Sequence, residues 1–161
     1  MTGVKISRGQ AAIPARPQTA DDLRQMWPGT ALEAFGLVLV EVDDNRLILE
    51  MPISPELRQP MGFLHGGVHL FLAESAASLH ACLGVDLHQI QPVGAEVNGS
   101  HLRPVREGNI RAVAEVIRRS KTTIVHQVAI DHVETGRQLC ACRVTNRYRS
   151  ATLERESHPS P

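Results

Sequence analysis

Two short β-prone runs, residues 37–42 and 46–51, flank the polar trio Asp43-Asp44-Asn45 and predict a hairpin. Over residues 67–83 no period-2 alternation is present. This stretch is rich in Ala and Leu with no Pro and no internal Gly, so it predicts a helix of about four to five turns. Its apolar residues (Val68, Leu70, Phe71, Leu72, Ala73, Ala76, Ala77, Leu79) lie nearly all round, as in a helix covered on most sides. After Gly84 come four further β-prone segments, residues 93–101, 109–119, 122–131 and 138–149, with turn signals at 106–108, 120–121 and 134–136. The order β-β-α-β-β-β-β with short turns predicts an α+β fold: an antiparallel sheet curled around one long helix.

The flanks lack such a pattern. Residues 1–20 carry scattered Gly, Pro and Arg and are expected to be a loose arm; residues 150–161 mix charge, Ser and Pro and are expected to be a loose tail. Between them lies a single domain, residues 21–149. Thr19 is positioned to cap a short helix running toward Trp27 and stopped by Pro28-Gly29, and Thr30 to cap another short turn through Ala34.

Composition narrows the function classes. At 161 residues, with 42% hydrophobic and 21% charged residues, the chain is the size of one ordinary soluble domain. Seventeen basic residues balance seventeen acidic ones, so no global positive field attracts a nucleic-acid backbone. The aromatic residues, Trp27, Tyr148 and three phenylalanines, are too few to stack bases. Cys82, Cys140 and Cys142 have no CxxC spacing and read as buried thiols in a reducing compartment. With no secretory-type apolar block at the N-terminus and no membrane-length apolar run, the expected location is the cytoplasm, with no membrane partner.

The candidate chemistry lies on and before the predicted helix. Phe71, Glu74, Ser75 and Ser78 share one face by three-and-four spacing, a narrow polar stripe on an apolar helix. An unpaired carboxylate there costs several kcal/mol to bury, so Glu74 belongs at a cleft, a partner group or a subunit boundary; an exposed edge or a structural hydrogen bond is the plainer alternative. Upstream, His65-Gly66-Gly67 opens the helix, where free N–H groups attract developing negative charge. Gly-Gly taken alone is more commonly a mere loop breaker.

Read together, residues 59–67 (Gln-Pro-Met-Gly-Phe-Leu-His-Gly-Gly), 72–78 (Leu-Ala-Glu-Ser-Ala-Ala-Ser), 98–108 (Asn-Gly-Ser-His-Leu-Arg-Pro-Val-Arg-Glu-Gly) and 142–145 (Cys-Arg-Val-Thr) resemble the hotdog-fold acyl-CoA thioesterases. The nearest branch contains the 4-hydroxybenzoyl-CoA, 1,4-dihydroxy-2-naphthoyl-CoA and phenylacetate-pathway enzymes, and the resemblance spans roughly residues 35–149. It implies hydrolysis of an aryl- or medium-chain acyl-CoA, a carrier-protein thioester being the other carrier left open, with Glu74 as nucleophile or general base and the Gly66 N–H polarising the carbonyl. His65 and Gln59 would shape that pocket, Ser78 would orient the water or carboxylate, and Ser75, Phe71 and Gly67 would line the acyl site. The resemblance further implies a homodimer with shared sites, the Gln59-His65-Gly66 side of one subunit facing Glu74 and Ser78 of the other, and dimers paired into a tetramer. Arg119, Ser120, Lys121 and Thr122 stand where relatives contact the nucleotide end of CoA, with Arg103 or Arg106 adding charge; a solvated charged turn is the alternative. Relatives often carry Gly-Arg at this turn, where this chain has Arg-Ser-Lys.

Other chemistries fit less well. His65 and His69 at i, i+4 lack a third ligand nearby in sequence, and no metal or cofactor is expected. No GxSxG, GxGxxG or phosphate loop is present. A non-catalytic acyl-CoA-binding module of the same fold remains the competing function; a hotdog hydratase would need an Asp and His pair that the chain does not show.

Overall fold

The computed structural model describes residues 13–151. Two short helices, α1 (Ala20–Arg24) and α2 (Ala31–Ala34), precede the hairpin β1 (Val38–Val42) and β2 (Arg46–Pro52). A 3-10 turn and a loop lead to the long helix α3 (Gly66–Cys82), followed by β3 (Ile90–His101), β4 (Asn109–Arg119), β5 (Thr123–His132) and β6 (Gln138–Ser150). The strands form one antiparallel sheet in the order β1-β2-β4-β5-β6-β3. β3 therefore sits at the edge far from β1, and its outer side has no neighbour among the described residues. The expected element order is observed, with each boundary within three residues of the sequence reading.

The sheet buries one face by simple alternation. Leu47, Leu49 and Met51 of β2 lie opposite Ala114, Ala112 and Ile110 of β4, and all six are buried. On α3, Ala73, Ala76 and Ala77 are fully buried in the same core. Small side chains on both surfaces let the helix lie close against the sheet, which is why an alanine-rich helix suits this position. The stripe Phe71, Glu74, Ser75 and Ser78 is only half-buried.

The hairpin turn is held by Asp43, whose Oδ1 accepts from the N–H groups of Asn45 (2.7 Å) and Arg46 (2.9 Å). His80 of α3 donates from Nε2 to the Asp43 carbonyl (2.8 Å), and its Nδ1 accepts from His126 Nε2 of β5 (2.8 Å). This assignment follows because a carbonyl only accepts, which fixes the His80 tautomer. His126 Nδ1 is then a buried lone pair without a partner among the described residues.

Two expectations change at the N-terminal side. Residues 1–12 lie outside the described residues, but the rest of the expected loose arm is tied down: Leu87 N–H donates to the Ala15 carbonyl (2.8 Å), Gly84 N–H to the Pro17 carbonyl (2.7 Å), and Pro17 is buried. Thr19 forms a full capping box with Asp22, as expected. Thr30, by contrast, makes no side-chain cap: its hydroxyl donates to the Trp27 carbonyl (2.6 Å), while Glu33 reaches back to Gly29 N–H (2.7 Å). At the other end β6 runs on to Ser150 and Ala151 N–H bonds the Gln89 carbonyl (2.9 Å); residues 152–161 of the expected tail lie outside the described residues.

Candidate active site

Glu74, Ser75, Ser78 and Phe71 line one cleft of about 340 Å³ beside α3. The remaining walls are apolar: Leu79 and Cys82 from the helix, Pro92 from β3, and Met26 and Leu32 from the N-terminal segment. Phe71 is fixed by edge-on contact with Phe35, ring centroids 5.2 Å apart. Ser78 accepts a hydrogen bond from Asn146 Nδ2 (2.9 Å), and Asn146 is fully buried. A methyl group added at Gly94 of β3 would fall 2.5 Å from Glu74 Oε1, so only a glycine leaves room for the carboxylate at this point in the strand. β3 also shifts register between Gly94 and Glu96, a local irregularity of the kind that re-aims side chains next to functional sites.

Gln59 and Gly66 lie in a different hollow, of about 360 Å³, with Phe63, Leu64, His69, His101 and Arg103 among its lining residues. His65 is the N-cap of α3: its Nδ1 accepts from Gly67 N–H (3.0 Å), and its carbonyl accepts from Val68 N–H (2.9 Å). Gly66 N–H is left without a partner among the described residues. Gly67 N–H is therefore consumed by the cap, and Gly66 is the free donor at the helix start. A side chain on Gly66 would run into the His101 ring, 2.8 Å from Nε2. Gln59 Oε1 accepts from Met61 N–H, and the loop is closed by Gly62 N–H to the Gln59 carbonyl (2.8 Å) and Gln59 N–H to the Phe63 carbonyl (2.8 Å). Arg106 braces that loop by stacking 3.8 Å above the Phe63 ring and donating to the Met61 carbonyl (3.1 Å), which makes it a structural residue within this chain.

The expected CoA-contacting residues do not gather in one place. Arg119, Ser120 and Lys121 line a hollow at the C-terminal end of α3, whereas Arg103 lies with Gln59 and Gly66 and donates to the Gln138 carbonyl (2.8 Å). The Ser120 hydroxyl is occupied, accepting from Thr123 N–H (3.0 Å) and donating to the Thr123 carbonyl (3.1 Å); it shapes the turn. Thr122 offers its carbonyl to Tyr148 N–H (3.0 Å).

His65 and His69 do not act together, but the fold brings His69, His101 and Cys140 close enough to share an ion, with donor atoms within 4.8 Å of one another. These atoms have protein neighbours: His69 Nδ1 lies 3.2 Å from His101 Nδ1, and Cys140 Sγ lies 3.4 Å from Cys142 Sγ. Burial, and then the neighbouring His101, holds His69 down to about 4, so it is a neutral imidazole at pH 7. All three cysteines are free and buried, and burial pushes the thiols of Cys82 and Cys142 up to about 12, which makes them inert packing groups.

Comparison with known proteins decides the family. Residues 61–140 match the thioesterase superfamily, and the putative esterase ComA2 of Bacillus subtilis is 40% identical over 116 residues, covering 72% of this chain and 91% of that protein. The chain belongs to the thioesterase superfamily. It has the hotdog fold and is a thioester hydrolase. The 1,4-dihydroxy-2-naphthoyl-CoA hydrolase of Escherichia coli K12 is 33% identical over 130 residues, covering 81% of this chain and 94% of that enzyme. The structure of the Staphylococcus aureus protein SAV0944 with a glutamate replaced by alanine superposes with a TM-score of 0.73 at 30% identity, covering 75% of this chain and 99% of that one. Another structure of that thioesterase has a glutamine replaced by alanine, fifteen residues before the glutamate. Gln59 precedes Glu74 by the same interval.

Asn146, Gly94 and His101 escaped assignment in the sequence. Asn146 had a signal: it continues the inward-facing series Cys142 and Val144 of β6, where a polar residue needs a partner. Gly94 and His101 had none, because what matters is the helix they face.

Proposed function

We propose that this chain hydrolyses an aryl- or medium-chain acyl-CoA to the free acid and CoA at a site shared between two copies. The observation that carries this reading is the separation of Gly66 and Glu74. They lie on the same helix, eight residues and about 12 Å apart along its axis. A glutamate side chain reaches roughly 5 Å from its Cα, so one chain cannot bring its own Glu74 to a carbonyl hydrogen-bonded by its own Gly66 N–H.

A second copy removes the difficulty. β3 runs antiparallel alongside α3, with Gly94 beside Glu74, Gly99 beside Leu70 and His101 beside Gly66. Twofold pairing of β3 with its counterpart, centred near Val97 and Asn98, sets the His101 end of one chain against the Gly94 end of the other. Gly66 and Gln59 then face the partner's Glu74 and the partner's Ser78. The open edge of β3 supports such a pairing, since a 12-residue strand with one unpaired side readily takes a neighbour. Pairing of dimers into a tetramer, implied by the resemblance, is read by light scattering.

In this site the Gly66 N–H holds the thioester oxygen as charge develops on it. Glu74 either removes a proton from water, whose oxygen then attacks the carbonyl carbon, or attacks that carbon itself to give an anhydride that water opens. Either way the carbon–sulfur bond breaks, the thiolate takes up a proton, and free acid and CoA leave. Ser78, held by Asn146, orients the water or carboxylate, and the apolar walls from Phe71, Met26 and Leu32 receive the acyl group. The reaction needs no metal or cofactor, and the enzyme is proposed to act in the cytoplasm; no described helix is long and apolar enough to cross a membrane.

The test is thiol release from aryl- and fatty acyl-CoA thioesters by wild type and Glu74→Gln. Loss of about 10²–10⁴-fold in kcat with acyl-CoA still bound supports the proposal. Binding without turnover in the wild type would instead make the chain an acyl-CoA-binding module.

A further inference from the structure

The hollow at the C-terminal end of α3, about 540 Å³, carries three cations, Arg16, Arg119 and Lys121, against one carboxylate, Asp44. None of the three cations has a salt-bridge partner among the described residues. Gathering like charges around a cavity raises its potential and favours an anion of more than one charge. Arg16 comes from the segment before α1, whose composition gave it no structural role. Its backbone is pinned on both sides by the bonds from Leu87 N–H to Ala15 and from Gly84 N–H to Pro17. Gly84 has φ 75, a left-handed conformation that glycine adopts freely, and it turns the chain just after α3 so that this N–H meets the strap. On the opposite side, the Ser120 hydroxyl holds the tight turn that carries Arg119 and Lys121.

This basic hollow adjoins the Glu74 cleft: Cys82 lines the cleft and Leu83 the hollow. Leu83 lies nine residues beyond Glu74, about 14 Å along the helix direction. The thioester and the phosphates of CoA are likewise held apart, by the pantetheine arm. Resting on the thioesterase reading above, we infer that Arg16, carried on the N-terminal strap, joins Arg119 and Lys121 to bind the phosphorylated nucleotide end of CoA. The strap thereby makes the enzyme selective for CoA thioesters over those on bare or protein-bound pantetheine. The nucleotide end bears a 3′-phosphate and a diphosphate, enough negative charge to engage all three cations. A carrier protein would bring only the pantetheine phosphodiester into this hollow.

Two measurements on the full chain test this. Adenosine 3′,5′-bisphosphate binding is read by calorimetry for wild type, Arg16→Ala and Arg16→Lys; KM is compared on matched acyl-CoA, acyl-3′-dephospho-CoA and acyl-pantetheine. The expected result is about tenfold weaker bisphosphate binding and about tenfold higher KM for acyl-CoA in Arg16→Ala, with partial rescue by Lys and no rise on acyl-pantetheine. Equal bisphosphate binding by Arg16→Ala overturns the inference, as does an equal KM rise on acyl-pantetheine, which would make the strap merely structural. Equal wild-type efficiency on acyl-CoA and an acyl carrier protein removes the selectivity. If the wild type turns over no thioester, the thioesterase reading fails by itself, and bisphosphate binding still decides the site.

Discussion

Gly94→Ala is the substitution that most directly probes how β3 positions the Glu74 carboxylate. The added methyl carbon would lie 2.5 Å from Glu74 Oε1, against about 3.5 Å for ordinary contact, so the carboxylate must retreat by about 1 Å. A misplacement of that size costs about 10²-fold in rate when a reacting group is involved. The fold itself loses little: the clash is with the end of a flexible side chain, Gly94 does not have positive φ, and alanine is favoured over glycine in a strand by roughly 0.5–1 kcal/mol. Thiol-release kinetics should therefore show kcat down about 100-fold, while the thermal melt stays within a few degrees of wild type. In the Glu74→Gln background the same change should cost almost nothing more, because both act through one group. A Gly94→Ala enzyme within threefold of wild type, or a full further loss on top of Glu74→Gln, would refute the argument.

Glu74→Gln and Gln59→Ala should each be inactive alone, and mixing them should restore roughly a quarter of wild-type activity after subunit exchange, since half the dimers are mixed and each carries one intact site; no recovery in exchanged dimers would place the site within one chain. Acid should destabilise the protein through its buried imidazoles. Burial, with neighbouring His101 for His69 and with His80 and Arg119 for His126, lowers the folded-state values from 6.5 to about 4 and about 3. Their neutral forms thus support the fold above pH 6.5, and that support drains away as pH falls toward the folded-state values, by about 2–3 kcal/mol for each group at pH 4.5. Urea melts at pH 7.5 and 4.5 measure this, and His126→Gln should flatten the difference; an unchanged pH dependence would exclude His126 as a source. Acid-quenched mass spectrometry during turnover separates the two roles of Glu74: an acyl adduct on its peptide marks the nucleophile, and its absence across single-turnover time points favours the general base.

Much of this protein is legible in one dimension. The change from period 2 to an alanine-rich helix and back predicts the strand and helix order, because burial of one sheet face and close helix packing each impose their own spacing. The stripe Phe71, Glu74, Ser75 and Ser78 was equally visible, since it repeats at helical spacing, and the structure places all four on one cleft. Contacts between distant segments were not. The apposition of Gly94 with Glu74 and of His101 with Gly66 depends on β3 crossing to the far edge of the sheet and running antiparallel to α3, which no local pattern encodes. The strap shows the same limit. Residues 13–18 bind through backbone carbonyls to N–H groups of residues 84 and 87, and a backbone bond leaves no mark on composition. The sequence thus determined which elements form and which helix face is polar, because those follow from local periodicity. Tertiary structure alone decided which glycine backs the carboxylate and which arginine reaches the basic hollow, because both depend on contacts between segments distant in the chain.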